Sequence, residues 1–295
     1  MIVYDMPLYR PPSEGHNLII QATLGCSFNA CSFCSMYKTK DYSAKSLEDV
    51  FADIDDAARD WPDATRVFLA DGDALVLPSD HLERILDKLI DSFPDLQRVT
   101  CYATPQNLTK KTTDELVRLR EKRLTMVYLG IESGADDMLK RIRKGTAKRM
   151  EEAQLAADAA GIKVSATVIL GLGGKAFWRE HIEGTAALIN RAPPKFLSTL
   201  QLYLEPGVEE RFYEAYEKVD GTKFHWQDDA DVLQELEYLL ELLDPPKAVI
   251  FRSNHASNAL PLAGNLPKDG ARLLDQVRAA RVGAAGLRPH YLRGL

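Results

Sequence analysis

The stretch Leu18-Ile19-Ile20-Gln21-Ala22-Thr23-Leu24-Gly25-Cys26-Ser27-Phe28-Asn29-Ala30-Cys31-Ser32-Phe33-Cys34 decides how the chain is read. Its first half, residues 18–24, is an apolar run of strand length, and its second half carries three of the chain's four cysteines. The thiols therefore sit on a loop leaving the C-terminal end of a strand, where α/β folds build their sites. Thiolates are soft ligands that select zinc or iron–sulfur clusters. Three ligands this close together can hold three corners of a cubane and leave the fourth iron open to something other than protein. A structural zinc site wants four closed ligands from Cys and His, and the nearest histidine, His16, lies upstream of the strand. Disulfide pairing fits poorly, because four cysteines in 295 residues without an apolar leader point to a reducing compartment.

Outward from this loop the chain repeats a strand–helix rhythm. Ser46 caps a helix, with Asp49 three residues on. Leu47, Val50, Phe51, Ile54, Ala57 and Ala58 then recur at helical spacing. Apolar runs at 66–70, 99–103, 126–131, 164–170 and 196–204 read as further strands. Helical patterns lie between them, including a long one over 136–160 broken near Gly145 and stopped by Gly161. Nearly continuous apolar strands separated by helices are the mark of consecutive βαβ units with both faces of the sheet covered. Six such units make a parallel sheet or an incomplete barrel, and periodicity alone does not choose. Beyond Pro206-Gly207 the pattern changes to helices at 209–219, 231–243 and 271–280, with a seventh strand at 248–251.

Bulk properties bound the function. A chain of 295 residues is long enough for one large α/β domain, with or without a small appendage. Hydrophobic content of 45% and charged content of 27% are ordinary for a globular protein. A net charge of -6 argues against a broad nucleic-acid surface. No apolar run approaches the roughly 20 residues that span a bilayer, so the expectation is a cytoplasmic protein.

Three cysteines on the loop after the first strand, with the aromatic Phe33 just before the third, resemble the radical S-adenosylmethionine (SAM) superfamily. The spacing here is Cys-x4-Cys-x2-Cys, one residue longer in the first gap than the family's usual pattern. The resemblance continues in order. Asp71-Gly72-Asp73 follows the second strand, where the family often has Gly-Gly-Glu. Glu132-Ser133-Gly134 follows the fourth strand, with Arg143-Lys144-Gly145 beyond it, as in the branch holding tRNA methylthiotransferases and coproporphyrinogen-oxidase-like enzymes. A glycine turn follows the fifth strand, and Leu204-Glu205-Pro206-Gly207 ends the sixth.

The resemblance covers residues 17–207 and implies a partial (β/α)6 TIM-like barrel, with residues 1–207 as the core and 208–295 as a C-terminal helical extension. It also implies a [4Fe–4S] cluster ligated by Cys26, Cys31 and Cys34, and SAM bound to the open iron. Phe33, Ile169 and Gly171 would meet the adenine of SAM. Asp71, Gly72 and Asp73 would meet its amino group, Glu132 its ribose or amino-acid part, and Ser133 and Arg143 its carboxylate. Leu204, at the sixth-strand ending, would be a further cofactor contact. A flavodoxin- or ferredoxin-type donor would supply the electron that releases a 5′-deoxyadenosyl radical.

No side chain stands out as an acid, base or nucleophile. Candidate substrate contacts lie at strand ends: Tyr102 and Gln106 after the third strand, Gln201 and Tyr203 on the sixth. Arg252, Asn254 and His255, in a polar run after the apolar seventh strand, would suit an anionic or heteroatom-rich small molecule if they converge. With only Cys101 left over, no auxiliary cluster fits. A small-molecule radical SAM enzyme is the expectation, with RNA or peptide modification and a non-catalytic metalloprotein as alternatives.

Overall fold

The computed structural model describes residues 2–294. Met1 and Leu295, the outer ends of the two expected segments, lie outside the described residues. The elements follow in chain order. First come β1 (Leu18–Gln21), β2 (Thr23–Leu24), β3 (Ser43–Ala44), α1 (Leu47–Asp60), β4 (Arg66–Ala70), α2 (Ser79–Ser92) and β5 (Arg98–Ala103). Then come α3 (Pro105–Lys110), α4 (Thr113–Glu121), β6 (Leu124–Glu132), α5 (Asp136–Arg141), α6 (Ala147–Ala159) and β7 (Lys163–Leu170). The remainder is α7 (Gly174–Arg191), β8 (Phe196–Gln201), α8 (Glu209–Glu217), α9 (Asp229–Leu242), β9 (Val249–Arg252), β10 (Ala263–Leu266) and α10 (Gly270–Arg281). The fold is mixed α/β, as expected, with eight strands hydrogen-bonded in the order β1-β4-β5-β6-β7-β8-β9-β10.

The chain forms two compact units. The first comprises the chain up to Asn29, Met36–Leu129 and Glu152–Val164; the second comprises Ala30–Ser35, Gly130–Glu151 and the chain from Ser165 onward. In the first unit β1, β4, β5 and β6 run parallel, in registers such as Ile20 on Leu69 and Leu69 on Cys101. Residues 67–70 of β4 are wholly buried, as a strand covered on both faces requires. Helix α1 starts where Ser46 accepts the backbone N–H of Asp49, and it buries Val50, Ile54 and Ala57 at helical spacing. Helix α2 turns Leu82, Ile85, Leu86 and Leu89 inward.

In the second unit β7, β8 and β9 are parallel, and β10 pairs antiparallel with β9. Helix α9 packs on both α7 and α10. The segment beyond residue 207 is therefore not purely helical.

Three expectations need correction. The run 18–24 is not one strand: the chain leaves β1 after Gln21, and β2 pairs instead with β3 through Thr23–Ala44 and Leu24–Ser43. The sixth apolar run stays extended in the sheet only to Gln201, so Tyr203 and Leu204 lie past the strand end. Helix α3 was not foreseen. It begins with Pro105 at its first position and closes a reciprocal Thr104–Asn107 capping box.

Candidate functional site

On the first unit's side, the cysteine loop is held by the two acids that follow β4. Asp71 is wholly buried. One of its oxygens accepts from Lys40 Nζ at 2.8 Å and from Gln21 Nε2 and the Gly25 N–H at 3.3 Å each. Lys40 also pairs with Asp5 at 2.8 Å, so its buried ammonium is doubly neutralised. Asp73 accepts the Ser27 N–H at 3.0 Å and the Ser27 hydroxyl. Burial pushes its carboxyl pKa up, while these bonds and one to Asn107 act in the opposite sense. Between the two acids, the Gly72 N–H donates to the Gly25 carbonyl at 3.0 Å. A Cβ on Gly72 would stand 2.7 Å from Cys26 Cβ, so only glycine lets this turn lie against the first cysteine.

The same unit contains a recess of about 170 Å³. Its lining joins Ser27 and Phe28 of the cysteine loop to Thr104, Gln106, Lys110 and Lys111. Leu75, Val76 and Asn107 complete it. Lys111 is half-buried and donates to the Leu77 carbonyl at 2.7 Å; Lys110 is exposed. Gln106 thus lies in a cavity, whereas Tyr102 does not. The Tyr102 ring meets Phe68 edge-on at 5.2 Å and packs with Tyr128, Tyr4 and Leu8 on a cluster of Ile19, Phe68 and Ala70. Cys101 is wholly buried, and its thiol is pushed up to about 12 by desolvation, which leaves it inert at neutral pH.

On the second unit's side, backbone and cations take over. The Ser32 N–H donates to the Ile142 carbonyl at 3.1 Å. Arg211, on α8, reaches the same segment. Its Nε donates to the Ser32 carbonyl at 3.1 Å and its Nη2 to the Cys34 carbonyl at 2.8 Å. At the end of β6, Glu132 pairs with Lys144 at 2.6 Å, and the ammonium stands 5.7 Å from the Phe33 ring centroid. Burial disfavours the Lys144 charge, but Glu132, Cys31 and Cys34 outweigh it and push the pKa up. Gly130 makes room for the pair, since a Cβ there would lie 2.7 Å from Lys144 Nζ.

The cation on Glu132 is Lys144, while Arg143, expected to meet the carboxylate of SAM, has an exposed side chain. Helix α5 ends at Arg141 with Ile142 as its C-cap, and Arg143 adopts a left-handed φ of 56°. That reversal hands the inward direction to the next residue.

Ser133 is wholly buried against His181 of α7, their side chains 2.8 Å apart. Ile169 and Gly171 sit at the end of β7, with the Ile169 carbonyl 3.0 Å from His181 Nε2 and the Gly171 N–H donating to Glu235 of α9 at 3.0 Å. Leu204 is buried and Tyr203 is half exposed. The polar run after β9 does not converge on a ligand position. Arg252 and Asn254 are exposed. His255 bonds to Ser257 at 2.9 Å, and its carbonyl accepts Arg288 at 2.7 Å. The inward residue is Asn258, which accepts the Gln201 N–H and donates to the Thr199 carbonyl, each at 2.7 Å.

Sequence reading missed Lys144, Arg211, His181 and Glu235. The last three are single polar residues on amphipathic helices, where no periodic signal marks them. None of the four cysteines is in a disulfide. Among the described residues no three Cys, His, Asp or Glu side chains are arranged around a single metal ion. Among the same residues, no helix is long and apolar enough to cross a membrane.

The model of the radical SAM superfamily matches residues 20–189, more than half of the chain, from the middle of β1 through most of α7. No curated protein matches it. Among solved structures, coproporphyrinogen III oxidase (HemN) from Escherichia coli, described as a radical SAM enzyme, superposes with a TM-score of 0.55 at 16% identity, over 76% of this chain and 52% of its own. Methylornithine synthase (PylB) gives 0.52 at 13%, over 88% and 68%. The radical SAM methyltransferase TsrM from Kitasatospora setae, solved with cobalamin and a [4Fe–4S] cluster bound, gives 0.50 at 15%, over 63% and 34%. The chain thus spans about a third of the TsrM length, and at these identities the likeness is one of fold.

Proposed function

The chain belongs to the radical SAM superfamily, whose enzymes use a [4Fe–4S] cluster and SAM, and on that premise we propose that it cleaves SAM reductively to start radical chemistry on a small anionic molecule. The donor set suits the cluster. Cys26, Cys31 and Cys34 offer three soft thiolates, and each iron of a cubane takes only one of them. The Lys144 ammonium lies within electrostatic reach of Cys31 and Cys34, so it would offset the negative charge of thiolate ligation. When bound, the cluster supplies one electron that breaks a carbon–sulfur bond of SAM. A flavodoxin- or ferredoxin-type protein fits the role of donor.

The chain's own residues divide the remaining work. Asp71, Gly72 and Asp73 fix the turn that carries Cys26. Arg211 fixes the carbonyls flanking Phe33. Glu132, with Lys144 on it, presents a charged pair at the end of β6, where SAM's ribose and amino-acid part are expected.

The observation that carries the small-molecule reading is the recess beside the cysteine loop. Its volume of about 170 Å³, below the ~300–1,000 Å³ of pockets that take drug-sized ligands, matches a small substrate or one end of it. Lys110 and Lys111 at its wall suit a carboxylate or phosphate, with Thr104 and Gln106 as further hydrogen-bonding groups. Anaerobic reconstitution with iron and sulfide, followed by reduction with dithionite in the presence of SAM, tests the proposal. Release of 5′-deoxyadenosine by wild type and its loss in Cys34→Ala are expected. Methylthioadenosine instead would show that the other carbon–sulfur bond breaks. Tight, salt-sensitive tRNA binding would contradict the small-molecule reading.

A further inference from the structure

Behind the ends of β6 and β7 lies a chain of wholly buried polar groups: Ser133, His181 and Glu235. Its proton positions follow from its partners. The Ile169 carbonyl, 3.0 Å from His181 Nε2, can only accept, so Nε2 carries the hydrogen. Nδ1 is then an acceptor, and the Ser133 hydroxyl at 2.8 Å donates to it while accepting the Ala135 N–H at 3.1 Å. The Ser133 proton is thereby committed inward. Packing locks this arrangement. A Cβ on Gly184 of α7 would stand 2.8 Å from the Gly134 carbonyl, and the Gly134 N–H donates to Thr185 Oγ1 at 2.9 Å.

Glu235 continues the chain. Its Oε1 accepts the Gly171 N–H at 3.0 Å and lies 3.5 Å from His181 Nε2. Its Oε2 has no partner, and neither does the buried Oε1 of Gln227, whose side chain is within hydrogen-bond reach of the same carboxyl. No lysine or arginine among the described residues pairs with Glu235. Its charged neighbour is Asp231, one turn earlier on α9, whose carboxylate pairs with Lys175 at 3.1 Å. A bare carboxylate here would be buried beside a neutral imidazole. A carboxylic acid instead places a donor on Oε2, and the Gln227 side chain offers an unpartnered acceptor in its Oε1.

We infer that Glu235 is a protonated carboxylic acid in the folded protein, and that Glu235, His181 and Ser133 are positioning residues that set the Ile169 carbonyl and the Gly171 N–H at the β7 edge for SAM. The positioning half rests on the proposed function; the protonation half does not. Desolvation is consistent with both protonation states, pushing the Glu235 pKa up to about 8 and that of His181 down to about 4.

Two sets of measurements test it. The first needs no cofactor. A carboxyl whose folded pKa is raised stabilises the protein below its unfolded pKa and loses that contribution as pH rises to the folded value. The melting temperature of wild type, taken relative to Glu235→Gln, is expected to fall by roughly 5 °C or more between pH 5 and pH 8 and to level off above. Difference infrared spectra should show a protonated carboxyl band in wild type that the variant lacks. A flat difference and no such band would mean an ionised Glu235 and overturn the inference. The second is SAM affinity of the reconstituted protein. Glu235→Gln, which keeps an acceptor for Gly171 and a donor for Gln227, should stay within about twofold of wild type, whereas Glu235→Ala should weaken binding about tenfold. Equal affinities in folded Glu235→Ala and wild type would overturn the positioning role. Wild type that shows the acid band and binds no SAM would overturn that role and the proposed function together, leaving protonation standing.

Discussion

The two ends of the cysteine loop are held by opposite chemistry. Around Cys26 the fixing groups are carboxylates: Asp71 and Asp73 take the backbone N–H groups of Gly25 and Ser27, and Lys40 neutralises Asp71 from behind. Around Cys31 and Cys34 the fixing groups are cations. Arg211 takes the carbonyls of Ser32 and Cys34, and Lys144, seated on Glu132, interacts electrostatically with Cys31 and Cys34. The difference follows from which backbone group each segment leaves open, N–H at the entry and C=O at the exit. It also leaves negative charge engaged with backbone at the first cysteine and positive charge beside the other two.

Substitutions that remove one side at a time break this comparison apart. The largest effect is expected for Asp71→Ala. The change leaves Lys40, whose side chain is only 6% exposed, with the half-exposed Asp5 as its sole carboxylate partner, and it strands the Gly25 N–H. Breaking a buried pair in this way costs roughly 3–5 kcal/mol, read as a drop in thermal or denaturant midpoint of the cluster-free protein. Lys144→Met comes next. Glu132 is buried, but a carboxylate left without its cation can take up a proton, so the stability loss should be about 1–3 kcal/mol. Removing a cation beside the thiolates should also make the cluster harder to reduce, which a potentiometric titration followed by electron paramagnetic resonance measures. The smallest stability effect, about 1 kcal/mol or less, is expected for Arg211→Ala, because its carbonyl partners regain water. Its mark is local: faster loss of iron from the reconstituted protein, with the melting temperature nearly unchanged.

Much of the fold was legible because it is written in runs and periods. The reading of 66–70 coincides with the bounds of β4, since four buried apolar positions, 67–70, bracketed by turn residues leave little choice. Ser46 and Asp49 announced α1 by the capping bond that they make. What escaped has no such pattern. Strand β3 is two exposed residues, so the local pairing that takes β2 away from β1 leaves no trace in hydrophobicity. Helix α3 buries only Asn107 and Leu108, too little for an apolar stripe. Strand β10, Ala-Gly-Asn-Leu, buries only Leu266.

The site shows the same division. The acids after β4 and Glu132 stand next to strand ends and could be found by position. That Lys144 turns inward onto Glu132 depends on one left-handed residue at a helix end, Arg143, and periodicity does not reach that level. His181, Arg211 and Glu235 arrive from helices distant in sequence, and only the packed structure brings them to the ends of the strands.

The most direct test of the account is the metal content of the anaerobically reconstituted chain. The account predicts about four irons and four sulfides per chain, a reduced-state paramagnetic resonance signal that changes when SAM is added, and loss of both in Cys26→Ala as fully as in Cys34→Ala. One zinc per chain with no iron–sulfur signal, or a cluster that survives Cys26→Ala with its SAM response intact, would contradict it.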